Sequence, residues 1–256
     1  MHYKQDRVQV PVFEGPPNSN NYRINTMKII SWNCNMAYAK KQKDILALQP
    51  DIAIIQECSE KDIKESNAQF YYWVGNNPQK GLGVLGFANH IYSIDSSYTN
   101  DFPWFIPLIV EDRKLNILAI WAHKKNQEER YVRVSNKAVD YYKVFLEKHA
   151  SIVIGDFNSN TIWDKKHPGQ SHSNLVKRLE HLHLRSIYHY QTQEKQGDEK
   201  TFTLYMYRHS DKGYHIDYAF LSKNLLEKTH LLIPDSKPWL KVSDHIPLIL
   251  DISLNY

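Results

Sequence analysis

The sequence predicts an α/β fold in one domain built on two packed sheets, and three observations lead there. Strand-like apolar runs alternate with a few helical stretches from Met27 to the C-terminus, and no break in composition interrupts them. One run, "DIAIIQEC" from Asp51, is almost continuously apolar, as in strands buried on both faces. With 256 residues, 42% of them apolar and 23% charged, the chain can bury a sizeable core.

Residues 1–26 hold Pro-Pro and Asn-Ser-Asn-Asn with little periodicity, so they read as a poorly ordered N-terminal extension before a domain at 27–256. "MKIISWNCNM" opens that domain as a strong strand. "KKQKDILALQP" is a short helix ended by Pro50, and "SEKDIKES" carries a capping-box pattern with Ser59 as N-cap and Asp62 three residues on. "FYYWVG", "GLGVLGFA", "HIYSI", "FIPLIV" and "KLNILAIWAH" follow as strands separated by turn residues. Residues 126–148 form the longest helical stretch, with Tyr131, Val134, Ala138, Tyr141 and Phe145 spaced by three and four. "SIVIGDF" is the next strand and "SNLVKRLEHLHL" the next helix, after which the chain is strand-rich again.

No apolar run reaches membrane-spanning length and "MHYKQDRVQV" lacks the core of a secretory leader, so the expectation is a cytoplasmic protein with no membrane partner. Cys34 and Cys58 cannot build a disulfide framework or, unaided, a zinc site, and are expected to pack in the core. The net charge of +4 is compatible with a polyanionic partner without demonstrating one.

Function is concentrated at the strand ends. In "SIVIGDFNSN", Asp156 and Asn158 stand two apart, which in an extended chain places them on one side with Phe157 turned toward the core; an Asx-type turn is the plainer reading. Other strands end on Asn33 (with Asn35 two further on), Glu57 and His123, "YHID" places Asp217 after His215, and "SDHIPL" sets Asp244 and His245 before the last strand. Singly, each is accounted for as a turn amide, a helix-start charge or a surface terminus. Together they form an oxygen-rich set without paired cysteines, which suits Mg²⁺ or Mn²⁺. Such a set serves phosphoryl chemistry: cation, amide and imidazolium stabilise charge on phosphate oxygens, and a carboxylate base activates water.

The motifs "ISWNCN", "PDIAIIQE", "KGLGV", "WAH", "GDFNS", "HIDYAFLS" and "SDHIPL", in this order, resemble the endonuclease/exonuclease/phosphatase superfamily of exonuclease III and deoxyribonuclease I type. The resemblance implies a four-layered α/β sandwich, two packed mixed β-sheets flanked by helices, with a metal-dependent phosphoesterase site at one sheet edge. Glu57 would match the principal metal ligand, with Asp244 close to the metal and Asn35 a weaker contact where many members carry Asp. Asn33 would orient the site, Asp156 would orient or deprotonate the attacking water, and Asn158 would hold the phosphate. His245 would contact the scissile phosphate with Asp217 behind it, and His123 stands where abasic-site endonucleases carry tyrosine. That departure, and "GDFNSNTIWD" in place of their usual continuation, point away from a dedicated abasic-site repair role.

Lys124, Lys165, Lys166 and Arg208 lie close in sequence to these motifs and could track a phosphate backbone, with Trp163 adding a stacking face; an ordinary solvated rim is the alternative. The favoured substrate is nucleic acid, DNA first. A phosphatase or phosphodiesterase on a small or lipid phosphoester is the second reading, and a non-catalytic nucleic-acid-binding module on the same fold the third.

Overall fold

A computed structural model describes residues 26–124 and 131–253. The chain begins with β1 (Thr26–Asn33), α1 (Tyr38–Leu46), β2 (Ile52–Cys58), α2 (Glu60–Lys64), β3 (Phe70–Asn77), β4 (Lys80–Gly86), β5 (Tyr92–Ile94), β6 (Phe105–Val110) and β7 (Leu115–Trp121). It continues through α3 (Val132–Tyr141), α4 (Lys143–Lys148), β8 (Ala150–Asp156), α5 (His172–His181), β9 (Leu184–Ser186) and α6 (Ile187–Thr192). The last part comprises β10 (Leu204–Tyr205), β11 (Gly213–Tyr214), β12 (Asp217–Ser222), α7 (Lys223–Leu226), β13 (Thr229–Leu232), α8 (Ser236–Trp239) and β14 (Leu248–Ser253).

These strands form two six-stranded sheets, ordered β13-β14-β1-β2-β4-β3 and β5-β6-β7-β8-β12-β9, and both are mixed because β1–β2 and β7–β8 pair in parallel. Strand alternation creates three apolar layers. Met27, Ile29, Ile52, Ile54, Ile152, Ile154, Ala219 and Leu221 meet between the sheets. Ile30, Trp32, Ala53 and Ile55 face outward under Tyr38, Ile45, Ile63 and Trp239 of α1, α2 and α8. Val153, Tyr218 and Phe220 pack under Val134, Ala138, Phe145 and Leu175 of α3, α4 and α5. The result is the four-layered sandwich that the motifs imply. Cys34 and Cys58 are free and buried in the outer layer beneath α1 and α2, as expected.

The same alternation positions the site. Continuing Met27–Ile29 along β1 gives Ser31 and Asn33, Ile152–Ile154 along β8 gives Asp156, and Ala219 traced back along β12 gives Asp217. Asp156 and Asp217 are cross-strand partners. Three inward faces that begin apolar therefore turn polar at one end of the space between the sheets. Just below, the buried Gln56 side chain ties the sheets together by donating to Ser31 Oγ at 3.0 Å and to the Ile120 carbonyl at 3.4 Å.

Two local expectations change. The stretch expected to be one helix over 126–148 is two, α3 and α4, divided at Tyr142; residues 126–130 lie outside the described part. Tyr142 is fully buried and Tyr141 is 48% exposed, so the buried stripe runs Val134, Ala138, Tyr142, Phe145 and the expected Tyr141 falls off it. Ser59 caps α2 by accepting from the Asp62 backbone N–H at 3.0 Å, but the Asp62 carboxylate accepts from Ala39 N–H, so the cap is not reciprocal. Residues 1–25 of the expected N-terminal extension also lie outside the described part, while Thr26 is already the first residue of β1, opposite Ser253.

Gly155, just before Asp156, has φ near +150°, and a Cβ there would lie 1.9 Å from the Ile120 carbonyl oxygen of β7. Gly155→Ala is therefore expected to destabilise the protein by about 3 kcal/mol or more in urea denaturation, well beyond Gly169→Ala at an open turn. Similar losses for the two variants would show that β7 and β8 do not approach as described.

Candidate active site

Asp156 is fully buried at the end of β8. Its Oδ2 accepts from Asn33 Nδ2 at 3.0 Å and from Asn158 Nδ2 at 2.9 Å, and its Oδ1 accepts from the Asn158 backbone N–H at 2.9 Å. The last bond is an Asx turn, and Asn158 takes a left-handed φ of 47° to close it. Both readings of "GDFN" thus meet in one structure: the turn exists, and it curls the amide onto the carboxylate while Phe157 enters the core. Asn158 Nδ2 also donates to the Ala122 carbonyl at 3.0 Å, so both of its N–H groups are engaged within the protein.

His245 lies beside this carboxylate, with Nδ1 2.9 Å from Asp217 Oδ2 and both residues buried. Ligand atoms of Asp156, Asp217 and His245 lie within 4.8 Å of one another. Burial works against a charged imidazole, but the Asp217 carboxylate outweighs it and raises the His245 pKa to about 10. Burial and the nearby Asp217 charge push Asp156 up to about 7, against the opposing effects of His245 and Asn33. One imidazolium thus sits among two acids.

Asn35 and Asp244 meet at the rim, where Asn35 Nδ2 donates to Asp244 Oδ1 at 2.9 Å. Asn35, Met36 and Ala37 all take left-handed φ, and Lys41 Nζ holds this segment through the Cys34 and Asn35 carbonyls at 2.6 and 3.0 Å. Glu57 departs from the alternation of β2: the register shifts between Gln56 and Cys58, and Glu57 has φ 60°. A bulge of this kind re-aims a side chain, and Glu57 meets Lys80 Nζ at 3.0 Å. That ammonium also lies 5.5 Å from the Trp121 ring centroid. His123 is half-buried, with its ring 4.6 Å from Trp121 and 4.9 Å from Trp104, and burial lowers its pKa toward the neutral form.

The structure thus gathers Asn33, Asp156 and Asn158 into one hydrogen-bonded set beside the His245–Asp217 pair, with Asn35 and Asp244 joined to one another and Glu57 paired with Lys80. Lys124, Lys165 and Lys166 are exposed, and Trp163 lines a pocket with Asn158 and Lys166. Arg208 is also exposed, but its guanidinium donates to the Lys241 and Val242 carbonyls at 3.4 and 3.3 Å, bracing the segment before Asp244. Several supports went unread. Thr203 Oγ1 accepts from the Ile216 and Asp217 backbone N–H groups at 3.0 Å each. Ser243 Oγ donates to the Asn33 carbonyl and accepts from His245 N–H, a role concealed inside "SDH". Lys80 stood in the quoted "KGLGV" without a role.

The sequence matches the Endonuclease/Exonuclease/phosphatase family over residues 30–245, and the chain belongs to that family of phosphoric ester hydrolases. Among solved structures it resembles a 3′-5′ exonuclease (NExo) from Neisseria meningitidis, with TM-score 0.69 and 17% identity over 89% of this chain and 100% of that one. It also resembles the 3′ phosphatase NExo from Neisseria bound to product DNA hairpin, at TM-score 0.67 and 16% identity, covering 90% and 100%. An AP endonuclease from Archaeoglobus fulgidus aligns at 0.61 and 18%, covering 88% and 98%. At these identities the likeness concerns the fold. A sequence search of curated proteins finds no match.

The His245–Asp217 pair makes stability depend on pH. A ring whose folded pKa lies above its unfolded value near 6.5 adds stability that is complete below that value and lost as pH climbs toward about 10. Asp156 acts in a lower window, between its ordinary 3.8 and about 7. Metal-free protein is expected to lose melting temperature from pH 7 to 9.5, and Asp217→Asn to lose much less over that interval. Equal slopes would show that the pair carries no such coupling.

Proposed function

We propose that this chain is a Mg²⁺- or Mn²⁺-dependent phosphodiesterase that hydrolyses nucleic acid, DNA first, through a water activated by Asp156. The observation that carries the reading is a buried carboxylate, held by two amides and raised to about 7, beside an imidazole raised to about 10 by Asp217. A base with a pKa near neutrality can take a proton from water at working pH. His245 has Nδ1 engaged by Asp217, so the protonated ring has its Nε2–H left to meet a phosphate oxygen. Asn33 fixes Asp156. Asn158 reaches the phosphate by transferring one N–H from Asp156, which frees that carboxylate as the water approaches.

The donor set fits a hard cation. Glu57, Asp244 and Asn35 offer oxygen and no sulfur, and the Asn35 nitrogen is turned to Asp244, leaving its carbonyl oxygen to ligate. Asp156, Asp217 and His245 are a second group close enough to hold an ion. A bound divalent ion would neutralise developing charge on the phosphate and leaving oxygens. Lys80 neutralises Glu57 meanwhile and would have to yield it.

Nucleic acid is favoured over a small ester by the exposed Lys124, Lys165 and Lys166 and by the Trp163 pocket beside Asn158. A similar fold that holds a DNA hairpin product is consistent with it.

Plasmid, linear and nicked duplex, single-stranded DNA, RNA, a phosphoinositide and bis-p-nitrophenyl phosphate, each with Mg²⁺, Mn²⁺ or EDTA, test the reading. Cleavage of nucleic acid that EDTA abolishes and Mg²⁺ or Mn²⁺ restores is expected, with Glu57→Ala and His245→Ala each lowering kcat by about 10²-fold or more. Turnover of the small esters alone, or wild-type rates in either variant, would overturn it.

A further inference from the structure

Beside Asn158 lies a pocket of about 270 Å³ for which phosphodiester hydrolysis has no need in itself. Its walls include Asn158, Ser159, Trp163, Lys166, His172 at the start of α5, and Tyr131 just before α3. Trp163 is partly buried and packs against Tyr214 at 5.2 Å, which fixes the indole in place. His172 is 1% exposed; its Nδ1 meets Ser159 Oγ at 2.8 Å, while its buried Nε2 has no partner among the described residues. Lys166 is exposed.

Size and chemistry narrow the occupant. The volume is just below the range of about 300–1,000 Å³ typical of small-molecule sites, enough for one base with its sugar and too little for a base pair. A lipid tail calls for continuous apolar walls, and a polyphosphorylated headgroup for several cations. The walls instead supply an aromatic face at Trp163 and one exposed lysine for the adjoining phosphate. Aromatic faces bind any base, since every base has a π surface. A base inside a duplex is stacked on both sides and reaches such a pocket only by leaving the helix.

We propose that this pocket receives one unstacked nucleobase of the substrate strand against Trp163, so that the enzyme takes single-stranded or strand-end nucleotides in preference to continuous duplex. The proposal rests on the nuclease reading above and makes Trp163 a specificity determinant.

The test uses single-stranded DNA tetranucleotides with all bases present, a set in which one base at a time is replaced by a tetrahydrofuran abasic residue, and a duplex closed by hairpins at both ends, which has no strand end, each with Mg²⁺. With wild-type enzyme, removing the base at one position next to the cleaved bond is expected to raise KM about tenfold, in line with the usual worth of base–aromatic stacking. Trp163→Ala should impose a similar rise on the complete strand and none on the strand already lacking that base. Trp163→Phe, which keeps a ring, should restore most of the loss, and the hairpin-closed duplex should be cut more slowly. Indifference to every missing base, faster cleavage at an abasic residue, a Trp163→Ala loss that persists without the base, or equal rates on duplex would overturn the proposal. The abasic scan needs no variant, so a poorly folding Trp163→Ala does not remove the test. Should the wild type spare all nucleic acid while hydrolysing bis-p-nitrophenyl phosphate, the nuclease reading itself fails; cleavage indifferent to base content defeats the pocket alone.

Discussion

The Asp156 carboxylate, enclosed between two sheets and held by Asn33 and Asn158, is the constraint on which the candidate site depends. A buried carboxylate without partners would be costly, and three N–H groups meet its two oxygens. One of those partners comes from the first sheet, so the carboxylate also bonds the two halves of the sandwich at the end where they open. Gln56 makes a second polar tie just beneath. The folding constraint and the proposed chemistry are the same set of contacts.

The remaining charges follow from that arrangement. Two acids facing one another across β8 and β12 repel, and His245 between them relieves the repulsion only while protonated. Its loop is anchored from three directions, by Trp32 Nε1 to the His245 carbonyl at 3.0 Å, by Ser243 to the Asn33 carbonyl, and by Tyr205 N–H to the Asp244 carbonyl. The short β10–β11 hairpin thereby belongs to the site, since Thr203 at its start also supports Asp217. Lys41 and Lys80 flank the acids of the rim and hold Asn35 and Glu57 in place.

Much of this was legible along the chain, for a physical reason. Strands β1, β8 and β12 alternate cleanly, so the polar residue that ends each inward face could be placed by counting in twos, and Asn33, Asp156 and Asp217 follow. Glu57 is different. Counting in twos sends it outward with Ile55, and only a bulge with a left-handed residue, invisible in "QEC", turns it to Lys80. Thr203, Ser243 and Lys41 act through backbone groups distant in sequence or hidden in loop geometry, which residue patterns do not encode. The split at Tyr142 escaped because a three-and-four spacing through Tyr141 is as regular as the true stripe, and only burial against the sheet distinguishes them.

If Asn33 works through Asp156, the two residues form one unit, and a double-mutant cycle on kcat with Asn33→Ala and Asp156→Asn measures that directly. The account predicts a large loss from each single substitution and little further loss when Asn33→Ala is added to Asp156→Asn. Losses that multiply independently, or an Asp156→Asn enzyme with wild-type turnover, would contradict it.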